Sequence, residues 1–458
     1  MAPETCSALP VRRELPPLAP PACIGVLGGG QLARMLVQAA QSMGYRAAVL
    51  DPDPACPASA MAEHFLCFDY TDEKGLQALS ELCERVTTEF ENVPAQTLDH
   101  LARTLGVSPK ANSVRVAQNR VREKTTIRAC GLPVAPFHVI ETQDDLAKAP
   151  LEIFPAILKT AQLGYDGKGQ VVVPRAQDLA AAYAQLQSSQ KTQDLVCVLE
   201  KKLPLLAECS VVLARSDTGV CVHLPIQINQ HLQGILFSST VFPGWVHPEL
   251  ERELLAAAQT LAKHLDYVGV LCVEFFLLDT AASGAESTPG LALEPDPSLW
   301  VVNEIAPRPH NSGHHSLNSC AQSQFELQLR VLMGLPLTPV AQHSPCVMLN
   351  LLGDLWWDAS PVRPQDSAFA NDPLQPQEPD WSRLLALPGT HLHLYGKKEA
   401  RRCRKMGHLN ITGSSPEAVK DTVDQCLYLL GLGGSGLGVS RRLVLQGDIW
   451  ALQALPEP

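Results

Sequence analysis

Two apolar runs of the chain each carry isolated polar residues of the kind that binds a metal ion. Gly269-Val-Leu-Cys-Val-Glu-Phe-Phe-Leu-Leu278 holds one carboxylate, Glu274, and Trp300-Val-Val-Asn-Glu-Ile305 holds Asn303 and Glu304. Burying an unpaired carboxylate costs on the order of several kcal/mol, so each acid calls for a cation. Set side by side, the two strands would present oxygen ligands to Mg2+, an ion that favours carboxylates together with phosphate oxygens. A plain ion pair with the nearby Arg308 is the alternative. A third stretch, Gly164-Tyr165-Asp166-Gly167-Lys168-Gly169-Gln170, lies between the apolar runs at 155–158 and 171–173. Its glycines let backbone N–H groups close on phosphate oxygens, and Lys168 adds charge. Lys159, at the end of the preceding run, could reach the same phosphates, although a lysine there can simply snorkel to solvent.

These residues need elements to position them, and length sets the frame. At 458 residues the chain should hold about three units of 100–200 residues each. A net charge of -11, with no block of Lys or Arg, argues against nucleic acid as the main partner. No window reaches the roughly 18 apolar residues that span a bilayer. Fourteen cysteines lack any Cys-x-x-Cys pair, and many fall within apolar runs, as small buried hydrophobes do in a reducing cytosol. Residues 1–21 are rich in proline and read as a disordered extension. Two arginines leave organelle targeting open, against which Glu4 and Glu14 count.

The first unit, 22–132, reads as α/β. Cys23–Leu27 is a buried strand, Gly28-Gly29-Gly30 a tight turn, and Leu32, Met35, Leu36, Ala39, Ala40 and Met43 recur at helical spacing before a strand ending at Asp51. Gly28, Gly30, Ala33 and Asp51 fit the dinucleotide fingerprint loosely, which keeps an NAD-dependent oxidoreductase in play. Arg85–Glu91 reads as a third strand, with Glu89 and Glu91 at its C-terminal end either binding a polar substrate or merely exposed. A helix over 116–130 closes the unit at Gly131 and Pro133.

From about 134 to 340 the pattern changes to short strands, with one amphipathic helix from Pro248 to Leu265. Glu200, followed by Lys201, Lys202 and Leu203, and then Glu208, has the arrangement that an adenine and a ribose need, although a charged turn explains it equally well. Residues 280–298 and 360–379 read as surface insertions.

Taken together, the glycine loop, the strand pair with Glu274 and Asn303-Glu304, Arg308-Pro-His-Asn-Ser-Gly-His314, Gly29-Gly30-Gln31-Leu32-Ala33-Arg34-Met35, Thr88-Glu-Phe-Glu-Asn92 and Lys405-Met-Gly-His-Leu-Asn410 resemble the 5-(carboxyamino)imidazole ribonucleotide synthases, members of the ATP-grasp superfamily. The likeness runs from about Ile24 to Arg441. It implies an α/β ATP-grasp fold with a pre-ATP-grasp domain over 22–132, a central lid over 133–210, a second ATP-grasp subdomain over 211–385 and a C-terminal unit over 386–458. It also implies ATP and Mg2+, with Mn2+ as substitute, and carboxylation of aminoimidazole ribonucleotide by bicarbonate through carboxyphosphate. The partners it implies are small molecules, with a homodimer, a cytoplasmic setting and a separate mutase that takes the product.

Carried onto this chain, the resemblance assigns Arg120, Lys159, residues 164–170, Glu200, Lys201, Lys202, Leu203, Glu208, His231, Asn303 and Glu304 to ATP, and Glu274 and Glu304 to the metal. Tyr165, Arg308 and His310, with Lys159, fall on the catalytic side. Gln31, Leu32, Glu89, Glu91, Lys397 and Arg404 fall on the nucleotide substrate, the last two at its 5′-phosphate. Arg402-Cys403 stand where the family usually has Pro-Gly. A formate-dependent glycinamide ribonucleotide transformylase or a biotin carboxylase would share the nucleotide residues, but not the Arg308 to Gly313 and Tyr395 to His408 signatures together.

Overall fold

The computed structural model describes residues 16–162, 169–190, 195–232, 234–279, 300–357 and 376–432, together with the backbone of the hairpin Arg441–Gln446 and Ile449–Ala454. The glycine-rich residues Gly164, Tyr165, Asp166, Gly167 and Lys168 lie outside the described residues, as do 280–299 and 358–375, which take in most of the two expected insertions.

The N-terminal sheet is parallel throughout. Strands β1 (Cys23–Leu27), β2 (Arg46–Leu50), β3 (His64–Leu66), β4 (Arg85–Thr88) and β5 (Gly106–Val107) stand in the order β3-β2-β1-β4-β5. The chain therefore leaves β1 on one side for β2 and returns on the other as β4. That reversal opens a crevice at the C-terminal ends of β1 and β4, where such sheets bind ligands. The expected third strand stops earlier than its sequence suggests. β4 ends at Thr88, whose hydroxyl bonds to the Phe90 carbonyl, so Glu89 and Glu91 belong to the loop beyond it. The expected helix over 116–130 is two helices, Ala111–Ala117 and Arg120–Ala129, and the side chain of Asn119 between them caps the second. Residues 16–21, read as part of a disordered extension, are tied to the body of the protein, although most stay exposed. The Leu18 N–H donates to the Met333 carbonyl, Arg85 donates to the Pro16 carbonyl, and Leu18 lies against the core of the first sheet.

A four-stranded antiparallel sheet follows. Its strands β6 (Phe137–Ile140), β7 (Ala156–Thr160), β8 (Gln170–Val173) and β9 (Cys197–Lys201) stand in the order β6-β9-β7-β8, with Lys159 opposite Gln170. The glycine run thus joins the two strands of a hairpin.

The largest sheet has nine strands. Strands β10 (Leu205–Arg215), β11 (Cys221–His223), β12 (Gln227–Leu232), β13 (Ile235–Val241), β14 (Gly269–Leu278), β15 (Trp300–Ala306), β16 (Cys346–Leu352), β17 (Thr390–Leu394) and β18 (Lys405–Thr412) run β15-β14-β10-β12-β13-β16-β18-β17, with β11 on β10. The helix Pro248–His264 buries Leu250, Leu254, Ala258 and Leu261 against β10 and β14. The C-terminal strands β17 and β18 extend this sheet rather than forming one of their own, and the helix Pro416–Leu429 covers them. Nine of the thirteen described cysteines are buried and none is in a disulfide, in keeping with small core residues. No described helix is long and apolar enough to cross a membrane.

Candidate active site

β14 and β15 pair antiparallel with Glu274 directly opposite Glu304. The two carboxylates expected to face one another therefore do, next to a break in strand register between Glu274 and Phe275. They open into a cleft of about 970 Å³ bounded by all three sheets. Of the residues singled out from sequence, this cleft gathers Gln31, Leu32, Glu89, Glu91, Arg120, Lys159, Gln170, Glu200, Lys201, Lys202, Leu203, Glu208, His231, Glu274, Asn303, Glu304, Arg308 and His310. Gly169 flanks it at a φ of 72°, a conformation natural to glycine. Lys397 and Arg404 do not line it. The Lys397 ammonium donates to the Lys405 carbonyl at 2.6 Å, and the half-buried Arg404 donates to the Glu399 carbonyl. Lys405 lines the cleft instead. Just before Arg404, Cys403 holds a φ of 63°, which explains the glycine usual there and means that this chain accepts left-handed backbone on a side-chain-bearing residue.

Nearly every acid in the cleft has a cation or a donor set against it. Glu304 takes Arg120 at 3.0 Å, Glu91 takes Arg308 at 2.5 Å, and Glu200 takes both Lys159 at 3.0 Å and Lys124 at 3.2 Å. Burial opposes ionisation of Glu200, but Lys124 and Lys159 outweigh it and bring its carboxyl down to about 2. For Glu304, too, burial opposes charge, and Arg120 overcomes it to hold the carboxyl below its usual value. Glu274 differs: burial, reinforced by the charge of Glu304, pushes it up to about 8. Two facing acids of which one resists ionisation are what a divalent cation would relieve. The Asn303 side-chain oxygen beside them is buried without a hydrogen-bond partner among the described residues. Glu274, Glu304 and Asn303 therefore fit an oxygen-ligated cation such as Mg2+.

His310 is neutral, held well below its usual range by burial and by Arg308. Its Nδ1 accepts from the Ser312 backbone N–H at 3.3 Å, so Nε2 carries the proton and donates to Glu274 at 3.0 Å. This places a neutral imidazole between the acid pair and the rest of the cleft.

At the crevice of the first sheet, Glu89 turns back onto the helix Gln31–Ser42. Its two oxygens accept from the Gly30 and Ala33 N–H groups at 2.8 and 3.0 Å. The N–H groups of Gln31 and Leu32, between these two, face the cleft without a protein partner among the described residues. Asp51, the expected ribose-binding acid of a dinucleotide site, is already satisfied by the Gly29 N–H at 2.7 Å, the Tyr70 hydroxyl at 2.8 Å and the Asp53 N–H at 2.8 Å. With Glu89 occupying the helix N-terminus and Asp51 committed, the dinucleotide reading has neither its pyrophosphate seat nor its ribose ligand.

Several residues that shape the site gave no signal in the sequence. Lys124 and Glu123 sit in a polar stretch that looks solvent-facing. Both are buried, and Glu123 fixes β15 by accepting from the Ile305 N–H at 2.7 Å. Gln324 has no exposure, and its amide clamps His310 in both directions: the Oε1 accepts the His310 N–H at 2.8 Å, and the Nε2 donates to the His310 carbonyl at 2.7 Å. The same Nε2 meets His314 Nδ1 at 3.0 Å, so His314 also carries its proton on Nε2 and lines the cleft. Only the run His310-Asn-Ser-Gly-His314 hinted at this.

Comparison with known proteins matches three successive stretches of the chain. The ribonucleotide synthetase preATP-grasp domain matches residues 22–118, the ATP-grasp domain 125–325, and the phosphoribosylaminoimidazole carboxylase C-terminal domain 346–422. The N5-carboxyaminoimidazole ribonucleotide synthase of Staphylococcus aureus strain COL is 34% identical over 392 residues, covering 85% of this chain and 92% of the relative. The crystal structure of the Staphylococcus aureus N5-carboxyaminoimidazole synthetase with ADP superposes with a TM-score of 0.75 at 32% identity, covering 91% and 99% of the two chains. The Aspergillus clavatus N5-carboxyaminoimidazole synthase with ADP and 5-aminoimidazole ribonucleotide superposes at 0.72 with 25% identity, covering 90% and 98%. With the strand order, the facing carboxylates and a relative matched over nearly its whole length in agreement, the chain belongs to the N5-carboxyaminoimidazole ribonucleotide synthase family of ATP-grasp ligases.

Proposed function

We infer that the protein is the ATP- and bicarbonate-dependent ligase that carboxylates 5-aminoimidazole ribonucleotide on its exocyclic nitrogen, in purine biosynthesis. The observation that carries this reading is the convergence, in one cleft, of the Glu274/Glu304 pair, the Lys159–Glu200–Lys124 network and the His310–Arg308 segment. Bicarbonate oxygen attacks the γ-phosphorus of ATP, and ADP leaves with the electrons of the broken P–O bond. The resulting carboxyphosphate divides into phosphate and carbon dioxide. The exocyclic amine adds to that carbon dioxide and loses a proton to give the carbamate.

Each step sets a demand on the chain. Lys159 and Arg120 offset charge along the phosphates, where positioning and electrostatics do most of the work. Lys201, Lys202 and Leu203 run beside the adenine, and Glu200, Glu208 and His231 meet the sugar and base side. Mg2+ held by Glu274 and Glu304, with Asn303 alongside, would neutralise phosphate oxygens. Residues 164–170 contribute to binding the phosphates, and exclusion of water protects carboxyphosphate. Arg308, a planar fork suited to carboxylate and phosphate alike, stabilises the bicarbonate-derived oxyanion. His310 and Tyr165 serve the bicarbonate and imidazole side of the reaction. Gln31 and Leu32 offer their N–H groups to the ribonucleotide, Glu89 and Glu91 form the neighbouring wall, and Lys397 and Arg404 hold its 5′-phosphate after moving from their present carbonyl partners. The protein works in the cytoplasm as a homodimer and passes its product to a separate mutase.

A coupled assay tests the assignment. Release of ADP and phosphate should require both bicarbonate and aminoimidazole ribonucleotide, and Glu304→Gln should abolish it. ATP cleavage proceeding equally fast with glycinamide ribonucleotide and formate, or hydride transfer to NAD, would sink it.

A further inference from the structure

Behind the acid pair lies a second set of donors of a different chemical kind. Cys272 and Glu274, two residues apart on β14, point to the same face of the sheet. The Cys272 Sγ, a Glu274 carboxylate oxygen and a His310 ring nitrogen all lie within 4.8 Å of one another. Glu274 and His310 line the cleft, whereas Cys272 is fully buried at its back, its thiol within hydrogen-bonding reach of Ser210 and Ser312.

We propose that Cys272, Glu274 and His310 form a site for a thiophilic divalent cation, Zn2+ or Cd2+, which shares Glu274 with the Glu274/Glu304 pair and inhibits the enzyme by taking it. One thiolate, one imidazole and one carboxylate, with a fourth position open to the cleft for water, make a tetrahedral set. Sulfur and nitrogen ligands favour such an ion, whereas Mg2+ prefers an all-oxygen shell, so the two sites differ in the metal they select although they overlap in space. The surroundings already supply the outer support. His310 Nδ1 lies 2.9 Å from the Ser312 hydroxyl, so the imidazole can move its proton from Nε2 to Nδ1, donate to Ser312 and free Nε2 for the ion. Binding displaces the Cys272 thiol proton and the proton held by Glu274 to solvent, and gives up two hydrogen bonds, the one between His310 and Glu274 and the one from the Ser312 N–H to His310 Nδ1. No redox step or additional reactant is involved. Glu274 cannot serve both ions, so occupancy by the softer one removes a ligand that the proposed Mg2+ site needs.

The test uses the full chain and reads the metal directly, so it stands whether or not the carboxylation reading holds. In a background carrying Cys67→Ser and Cys403→Ser, which removes the two exposed thiols among the described residues, Co2+ is titrated and thiolate-to-cobalt charge-transfer absorption is recorded in the near ultraviolet. The site predicts a band that saturates at one ion per chain, is displaced by Zn2+, is lost in Cys272→Ser and persists in Glu304→Gln. Zn2+ affinity should fall by at least about tenfold in Cys272→Ser, and inhibition of turnover by Zn2+ should weaken in parallel. Cys272→Val, which suits the apolar strand, serves as a second variant should the serine form fold poorly. Absence of the band in the starting protein, its survival without Cys272, or its equal loss in Glu304→Gln would each overturn the proposal.

Discussion

At the residue scale, the candidate site is a balance of buried charges, and Lys124 is its least expected member. Its side chain is 1% exposed, 3.2 Å from Glu200, while Lys159 reaches the same oxygen at 3.0 Å from the cleft side. With two ammonium groups serving one carboxylate, Lys159 need not stay with Glu200 to keep it ionised, so Lys159 can turn toward a phosphate. Replacing Lys124 by Met removes that redundancy. The cost should be about 1–3 kcal/mol in urea unfolding, less than for a fully broken buried pair because Lys159 remains. The larger effect should fall on kcat, since Lys159 becomes the one ammonium group bonded to Glu200 among the described residues, with Arg120 acting on it only through its charge. A variant with wild-type kcat and an unchanged unfolding midpoint would contradict this division of labour. Lys124 could not have been found from sequence. Arg120-Val-Arg-Glu-Lys124 reads as a solvated helix face, and only packing of that helix against β15 buries Glu123 and Lys124. Glu274 and Glu304 were legible for the opposite reason, because a lone acid in a long apolar run declares its own burial.

At the element scale, backbone geometry accounts for what the residue pattern alone left open. The alternation of Glu89 and Glu91 with apolar neighbours suggests a strand, yet the segment leaves the sheet at Thr88, because Glu89 satisfies the N-terminus of the helix Gln31–Ser42 and Glu91 satisfies Arg308. Lys397 and Arg404 show the same limit. They were identified from a motif, and each now bonds to a backbone carbonyl beyond the cleft wall. The glycine turn was legible, but its reason was not. Gly30 is required less for a phosphate than for a carboxylate, since a Cβ there would lie 2.2 Å from Glu89 Oε1 and 2.8 Å from Oε2. Gly30→Ala should therefore drive Glu89 off the helix and forfeit two charge-assisted hydrogen bonds. A loss of about 2–4 kcal/mol follows, together with a higher KM for the ribonucleotide, because the Gln31 and Leu32 N–H groups lose their orientation. Thermal melts and initial rates check both, and a Gly30→Ala protein that melts like wild type would mean that Glu89 has another equally good seat.

Over the whole molecule, the buried titratable groups oppose one another, and their balance sets a pH of greatest stability. Burial holds His310, His314 and His408 well below the usual imidazole range, and brings His315 down to about 3 and His393 to about 4. A histidine kept neutral in the folded chain contributes stability that is complete above its unfolded value near 6.5 and is lost as pH falls toward the folded value. The acids act with the opposite sign. Burial pushes Glu123 and Glu274 up to about 8 and raises Glu89 as well. The folded chain therefore holds protons that the unfolded chain releases above about 4.5, and stability falls as pH rises from there through 8. Between pH 6.5 and 4.5 the depressed histidines, His391 among them, take up protons on unfolding and outnumber the raised acids that release them, so stability falls toward acid. Above pH 6.5 the depressed histidines have given their full contribution, while the raised acids, and His231, which Glu208 holds above its usual value against the effect of burial, lose theirs, so stability declines in that direction too. Without divalent cations, the urea midpoint should peak near pH 6.5 and fall on both sides, more steeply toward acid. Adding Mg2+ with ATP should flatten the alkaline side alone, because a cation between Glu274 and Glu304 favours the ionised pair. A midpoint that does not change from pH 5 to 8, or an alkaline limb indifferent to Mg2+ and ATP, would show that these groups do not have the environments described.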